Sequence, residues 1–354
     1  MNRIHYSLLL CLLLSIFASC NKGNDSIDPK NSQSTDLDLN ASFQARLASI
    51  DTAYHPRQVV TIAGHNGERG YMDGKGPEAL FDSPWGIELA QDGSLLVADP
   101  GNNKIRKVTT DGVVTTLDIS TATDGSDFTR PYFIKQGKDG TLAIKTVDIE
   151  SRFWIVKPAG KTTVTTGPRN GFYGSIAKDP FNDIYWTCGI NIGKNNVFTG
   201  FVEKFLPSGA VGVNAQSFPP SAFTGDMNSG TPIISTIFVG YDNIKYLVVN
   251  DNQIYKLTPS GLLKQLFTNF YFDSPITDII TNKDSHTMYV SSGGNIFGIS
   301  ENKLYRLVGT ANGDGHDGIG SGASVLAFNL ALSKDESTLY FTDSRNTIRK
   351  LILK

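Results

Sequence analysis

The chain has 354 residues, of which 40% are hydrophobic and 19% charged, with a formal net charge of -2. That profile excludes a disordered chain and a basic nucleic-acid binder. An abundance of Gly (35), Phe (20) and Tyr (13) beside only 4 Met favours strands and tight turns over a helical bundle.

The N-terminus reads as an export signal. Leu8 to Phe17 is an almost wholly apolar run of about ten residues behind Arg3, long enough for a signal-peptide core and too short to cross a bilayer. It ends in Phe17-Ala18-Ser19-Cys20, small residues directly before a cysteine. This resembles the lipobox of bacterial lipoproteins, in which the cysteine is lipidated and the preceding peptide removed. The resemblance implies a signal peptide over 1–19, lipid attachment at Cys20 and residence in the cell envelope. Asn21 and Lys22 lack the Asp that marks inner-membrane retention, so the outer membrane is the expected address. Several acyl chains, at about 0.8 kcal/mol per buried CH₂, would make such an anchor effectively permanent. An ordinary secretory signal cleaved nearby is the other reading of the same residues.

Cysteine usage agrees. With Cys11 in the signal and Cys20 lipidated, Cys188 is the remaining thiol, which leaves no intramolecular disulfide and no metal site of several cysteines. Removing residues 1–19 takes away only Arg3 among the charges, leaving 31 basic against 34 acidic side chains and a net charge of -3. No electrostatic case for an anionic partner survives.

Residues 20–56 read as a tether. Asn21 to Asn40 carries too few apolar groups to offset its chain entropy. Leu39, Phe43, Leu47 and Ile50 then fall at helical spacing behind an Asn40 cap, which predicts a short helix, with a frayed linker as the alternative.

From residue 57 onward the chain repeats itself. WGIELAQDGSLLVADPGNNKIRKV (85–108) and AFNLALSKDESTLYFTDSRNTIRKL (327–351) share one plan: a strand, a polar turn, a strand ending in Asp99 or Asp343, an Asn-containing loop and Ile-Arg-Lys. Weaker copies lie between them, in LAIKTV with FWIVKPAG, DIYWTC with FVEKFLPSG, KYLVVND with QIYKLTPSG, and TMYVSS with NIFGISENK. Each third strand but the last leads through a turn into a fourth, so six units of four short strands fill the chain at about 50 residues apiece. The sixth unit stops after its third strand, while Val59-Val60-Thr61-Ile62-Ala63 forms an orphan strand ahead of the first. Pairing the two would close a ring and remove its open edges. The expected fold is therefore all-β, a six-bladed β-propeller of four-stranded antiparallel blades over 57–354, closed by its N-terminal strand.

The strand-ending Asp, Asn loop and Ile-Arg-Lys resemble the NHL repeat. The run from Gly70 to Phe81 with Ser83-Pro84-Trp85-Gly86-Ile87, echoed at Asp317-Gly318-Ile319-Gly320, is similar to the linker of bacterial NHL-repeat β-propeller lipoproteins. That resemblance implies a scaffold of diverse use, so fold transfers better than function.

Residues that might carry chemistry each have a plain structural reading. Asp99 and Asp343 suit hydrogen bonds to the following turn, and Asp73-Gly74 and Asp317-Gly318 suit loop-shaping turns; neither pair has calcium-loop spacing. His55, His65, His286 and His316 show no metal-ligand spacing, although His65 and His316 occupy corresponding linkers. The inner-strand triplets expected to line the channel are Gly86-Ile87-Glu88, Phe133-Ile134-Lys135, Ser175-Ile176-Ala177, Thr236-Ile237-Phe238, Thr277-Asp278-Ile279 and Asn329-Leu330-Ala331. Only Glu88 and Asp278 among them are carboxylates, a poor lining for catalysis, so no catalytic residue, metal or cofactor is expected.

A binding face remains. The loops leaving the fourth strands and those joining second to third strands share one face of a propeller, and here they are long and adjoin Trp85, Arg130, Tyr132, Tyr173 and Trp186. Rings beside polar groups suit a sugar or a partner protein, and rings between blades suit packing. The favoured expectation is a non-catalytic, lipid-anchored scaffold for an extracellular glycan or protein, with no nucleic-acid partner and no membrane contact beyond the anchor. The alternative is a lactonase-like or amidating-lyase-like hydrolase or lyase with a channel metal.

Overall fold

The computed structural model describes residues 50–51, 57–147, 150–224, 231–309 and 313–354. The signal, Cys20 and nearly all of the tether lie outside the described residues. Of the expected helix only Ile50 is described, and it is extended: Ile50–Asp51 pairs in parallel with Leu304 and Tyr305, on the free edge of a fourth strand. No helix among the described residues is long and apolar enough to cross a membrane.

Six separate sheets make up the body, each built on four antiparallel strands. Their innermost strands are Ile87–Leu89, Pro131–Gln136, Gly171–Lys178, Ile234–Val239, Ile276–Thr281 and Ala327–Leu332, defining blades 1 to 6. This is a six-bladed β-propeller. The ring closes as the sequence predicts: Gln58–Ala63 is antiparallel to Thr347–Ile352, with Val59 opposite Leu351 and Thr61 opposite Arg349. The alternating apolar residues of these short strands fill the spaces between blades. One cluster joins Val59 and Leu351 to Ile296 and Val308 of blade 5, and another joins Ile62 and Ile348 to Ile87 and Val97 of blade 1.

Blades 1, 5 and 6 carry a fifth strand that the repeat arithmetic did not include. Gly74–Lys75 and Gly318–Ile319, read from sequence as loop-shaping turns, pair with the outer strands of blades 1 and 6. The preceding aspartates explain this. Asp73 accepts from the backbone and hydroxyl of Thr116 at 2.9 and 3.0 Å, and Asp317 accepts from those of Thr61 at 2.8 and 2.9 Å. Each pins its linker along a strand edge that would otherwise be open.

The third strands carry one large buried residue at a common register position. It is Arg106, Trp154, Glu203, Tyr255, Phe297 and Arg349 in blades 1 to 6. Arg106 is fully buried and donates to Asp99 at 3.0 Å and Asp73 at 2.7 Å; Arg349 donates to Asp343 and Asp317, both at 2.9 Å. Each strand-ending aspartate also accepts a backbone N–H from its preceding linker, Asp343 from Leu326 and Asp99 from Asp82, and a bond from the following turn, Asp343 from Arg345 N and Asp99 from Asn102 Nδ2. Burial raises the pKa of Asp99, against the hydrogen bonds of Asn102, Asp82 and Arg106. Blade 3 reverses the polarity: buried Glu203 accepts from Arg169 of the preceding linker at 2.5 Å.

Removing one member of such a buried group strands the other's charge. Arg349→Met should therefore cost about 3–5 kcal/mol, read as a lower urea midpoint. Arg349→Met combined with Asp343→Leu should lose less than the single change.

Candidate functional site

Two ends of the channel differ in chemistry. At the end facing the long loops, Trp85 precedes the inner strand of blade 1, and its N–H donates to Ala98 O at 2.9 Å. Its carbonyl accepts from Thr342 Oγ1 of blade 6 at 2.5 Å. The indole stacks on Phe328 of blade 6 with centroids 4.3 Å apart and meets Tyr132 of blade 2 edge-on at 5.6 Å. Its Nε1 is buried without a hydrogen-bond partner. Arg130 lies beside Tyr132, with its guanidinium 3.4 Å from the phenol oxygen. Its backbone is left-handed, with φ of 44°, a conformation unfavourable for a residue bearing a Cβ. Hydrogen bonds from its N–H to Asn103 Oδ1 and from Val147 N to its carbonyl hold it there.

Trp85, Tyr132 and Arg130 are thus brought together, and the other two candidates are placed elsewhere. Tyr173 is 1% exposed, packed edge-on against Phe153 and Phe201, and its hydroxyl donates to Glu203 at 3.1 Å. Burial raises its pKa. Trp186 is buried beside the turn between the first and second strands of blade 3, where Nε1 donates to Asp179 at 3.3 Å. Lys245 Nζ lies 4.0 Å from its ring centroid, and burial lowers that lysine's pKa. His65 and His316 each pair with a carboxylate in their own loops, Glu68 at 2.6 Å and Asp314 at 2.8 Å.

The concavity lies toward the opposite end. A cavity of about 380 Å³ is lined by all six inner strands and by turns between first and second strands, including Gln91, Lys138, Pro180 and Tyr241. The long loops lie at the other mouth, and loop length does not decide where the inner strands part. Adjacent inner strands run very close before this mouth. A Cβ at Gly86 would collide with the carbonyl oxygen of Tyr132, and one at Gly174 with that of Ser235.

Five of the six expected triplets have the right register, centred on Ile87, Ile134, Ile176, Ile237 and Leu330. In blade 5 the triplet at the equivalent register is Asp278-Ile279-Ile280, one residue later than expected: Ile279 lies opposite Val290, which lies opposite Phe297. Glu88 and Lys135 form an ion pair at 3.0 Å. Burial works against the Lys135 ammonium, yet Glu88 and Asp278 outweigh it and raise its pKa. Asp278 accepts from Leu330 N at 2.8 Å and Ile279 N at 2.9 Å. Burial pushes its pKa up to about 6, against the pull of Lys135 and these hydrogen bonds.

The two channel carboxylates therefore face a lysine ammonium. Among the described residues no three His, Cys, Asp or Glu side chains gather as around a metal ion. Sequence reading missed Lys145, which is fully buried with Nζ unpartnered, 5.4 Å from the ring centroid of Phe133 and 5.6 Å from that of Phe172. Burial lowers its pKa to about 7. Its only sequence signal is a charge inside the otherwise strand-like LAIKTV.

No protein-family model and no curated protein sequence matches the chain. Solved structures do resemble it. A protein of unknown function from Bacteroides thetaiotaomicron has a TM-score of 0.61 at 16% identity, covering 84% of this chain and 76% of that one. An auxiliary nutrient binding protein from Bacteroides ovatus has a TM-score of 0.59 at 13% identity, with the same coverages of 84% and 76%. A gluconolactonase from Xanthomonas campestris has a TM-score of 0.53 at 11% identity, covering 86% and 97%. At such identities the likeness is one of fold.

The raised pKa of Asp278 predicts a pH effect of definite sign. The favourable contribution of its protonated form is complete below 3.8 and is lost as pH rises through about 6. Wild type should lose on the order of 2–3 kcal/mol of unfolding free energy across that interval relative to Asp278→Asn. Parallel stability curves for the two proteins would refute this.

Proposed function

We propose that the protein is a lipid-anchored, NHL-type β-propeller of the cell envelope that serves as a non-catalytic binding scaffold for an extracellular glycan or protein partner. Residues 1–19 are its signal peptide, 20–56 its tether and 57–354 its propeller, with Cys20 carrying the lipid in the outer membrane. The observation that carries the binding reading is the Trp85–Tyr132–Arg130 group. Its rings are braced across three blades, and its arginine is held in a costly backbone conformation beside them. Rigid aromatic surface next to a guanidinium offers contact area at small entropic cost. The name of the Bacteroides ovatus fold neighbour, a nutrient binding protein, supports the same reading.

A metal-dependent hydrolase or lyase acting in the channel is the second reading, favoured by the perturbed carboxyl of Asp278 and by the lactonase among the fold neighbours. Lys135 between the carboxylates weighs against it. Elemental analysis separates the two: stoichiometric calcium or zinc in the purified protein would displace the scaffold reading.

Trp85→Phe with Arg130→Ala should leave the melting temperature within a few degrees of wild type, while signals on a glycan array fall about tenfold. Retention of every array signal would count against the loop-face site. Cys20→Ser should move the protein from the membrane fraction to the soluble fraction.

A further inference from the structure

The opposite mouth of the channel has features that the scaffold reading does not use. Phe181 and Tyr241, on the first-to-second strand turns of blades 3 and 4, are 48% and 50% exposed. Their ring centroids lie 6.3 Å apart with an interplanar angle of 81°, and Tyr241 lines the cavity itself. Exposed aromatic pairs of this kind give a sugar ring an apolar face to stack on.

Among the residues that line the cavity, Lys135, Lys138, Lys178, Lys283 and Lys334 outnumber the carboxylates of Glu88, Asp278 and Glu336. The aspartates of the same turns are engaged by their own neighbours: Asp92 by Ser94 and Lys107, Asp139 by Thr141, Asp183 by Lys138 N, Asp242 by Tyr246, Asp284 by His286 N and Asp335 by Ser333. Glu336 is engaged by a backbone N–H, that of Lys283 at 2.7 Å. Three of the lysines donate to neutral backbone carbonyls instead of to acids: Lys138 to Phe181, Lys283 to Lys334, and Lys334 to Gln91. An ammonium has three N–H groups, so each keeps donors for a ligand.

The cavity floor supplies the complementary need. Asn329 Oδ1 and Thr281 Oγ1 are buried without hydrogen-bond partners, on residues that are 5% and 6% exposed and that line the cavity. Buried polar atoms are normally satisfied, and a small rotation of each side chain toward the cavity would offer these to ligand hydroxyls. At about 380 Å³ the cavity falls within the usual range of small-molecule sites, roughly 300–1,000 Å³.

We propose that this mouth is a second binding site, distinct from the loop face, and that it takes an anionic saccharide: hydroxyls to the floor, a ring face to Tyr241 and Phe181, and an acidic group to the rim lysines. The acidic group is a carboxylate or a sulfate. Both present oxygens that lysine recognises as a point charge.

Isothermal titration of the purified propeller with digalacturonate, a sulfated chondroitin disaccharide and neutral lactose tests this. At least one anionic disaccharide should bind, with affinity falling as NaCl is raised, and lactose should not. Whichever binds identifies the acidic group. Lys178→Gln with Lys283→Gln, and separately Tyr241→Ala, should each weaken that binding about tenfold at unchanged melting temperature. Arg130→Ala should not. Absence of binding by both acids at millimolar concentration, equal binding of lactose, or sensitivity to Arg130→Ala without sensitivity to Tyr241→Ala would overturn the proposal. Because Arg130 belongs to the loop face, a failure here leaves the scaffold reading to its own test.

Discussion

Arg349, wholly buried, donates one arm of its guanidinium to Asp343 in its own blade and the other to Asp317 in the preceding linker. Asp317 in turn accepts from the backbone and hydroxyl of Thr61, 256 residues away in sequence. One ion-paired cluster thus joins the last strand, the last linker and the first strand of the propeller. The hydrophobic strands supply most of the burial, but a strand slipped by two residues would bury much the same apolar area. It would leave Arg349 without its acids, and a buried unpaired charge is far more costly than a lost methyl contact. The copy in blade 1, with Arg106, Asp99 and Asp73, fixes the other side of the junction in the same way.

A closed ring brings six inner strands around one axis, and the chemistry of the channel follows from that. Glu88 of blade 1, Lys135 of blade 2 and Asp278 of blade 5 are far apart along the chain and meet electrostatically only because the ring curves back on itself. Two carboxylates and one ammonium leave a floor that largely neutralises itself, where a metal site would need the carboxylates converging on open space. At the loop end, Trp85, Phe328 and Tyr132 come from three blades meeting at the closure, so the aromatic surface there is also a product of ring closure.

Much of this was legible in particular residues. The duplicate Ile-Arg-Lys segments marked two equivalent blades, and the missing fourth strand of the last unit matched the orphan strand 59–63. Strand rhythm located the four weaker blades as well. The register of blade 5 was not visible, since Thr277 and Asp278 are both acceptable strand residues and pairing alone decides which is opposite Ser291. Nor could Tyr173 be told from Trp85 by type. Both are rings at the start of an inner strand, but a buried Glu203 behind Tyr173 claims its hydroxyl while Trp85 packs on Phe328 and Tyr132 of the neighbouring blades.

Repeat period, strand alternation and the count of units were fixed by local chemistry, because each short strand must present alternate apolar residues to its neighbours wherever it lies. The sequence by itself therefore determined the number of blades and how the ring closes. Which mouth opens, which rings are exposed and which charges face each other were decided only by the tertiary structure. Those properties depend on distances between inner strands of different blades, set by twist, bulges and glycine contacts that no single repeat contains.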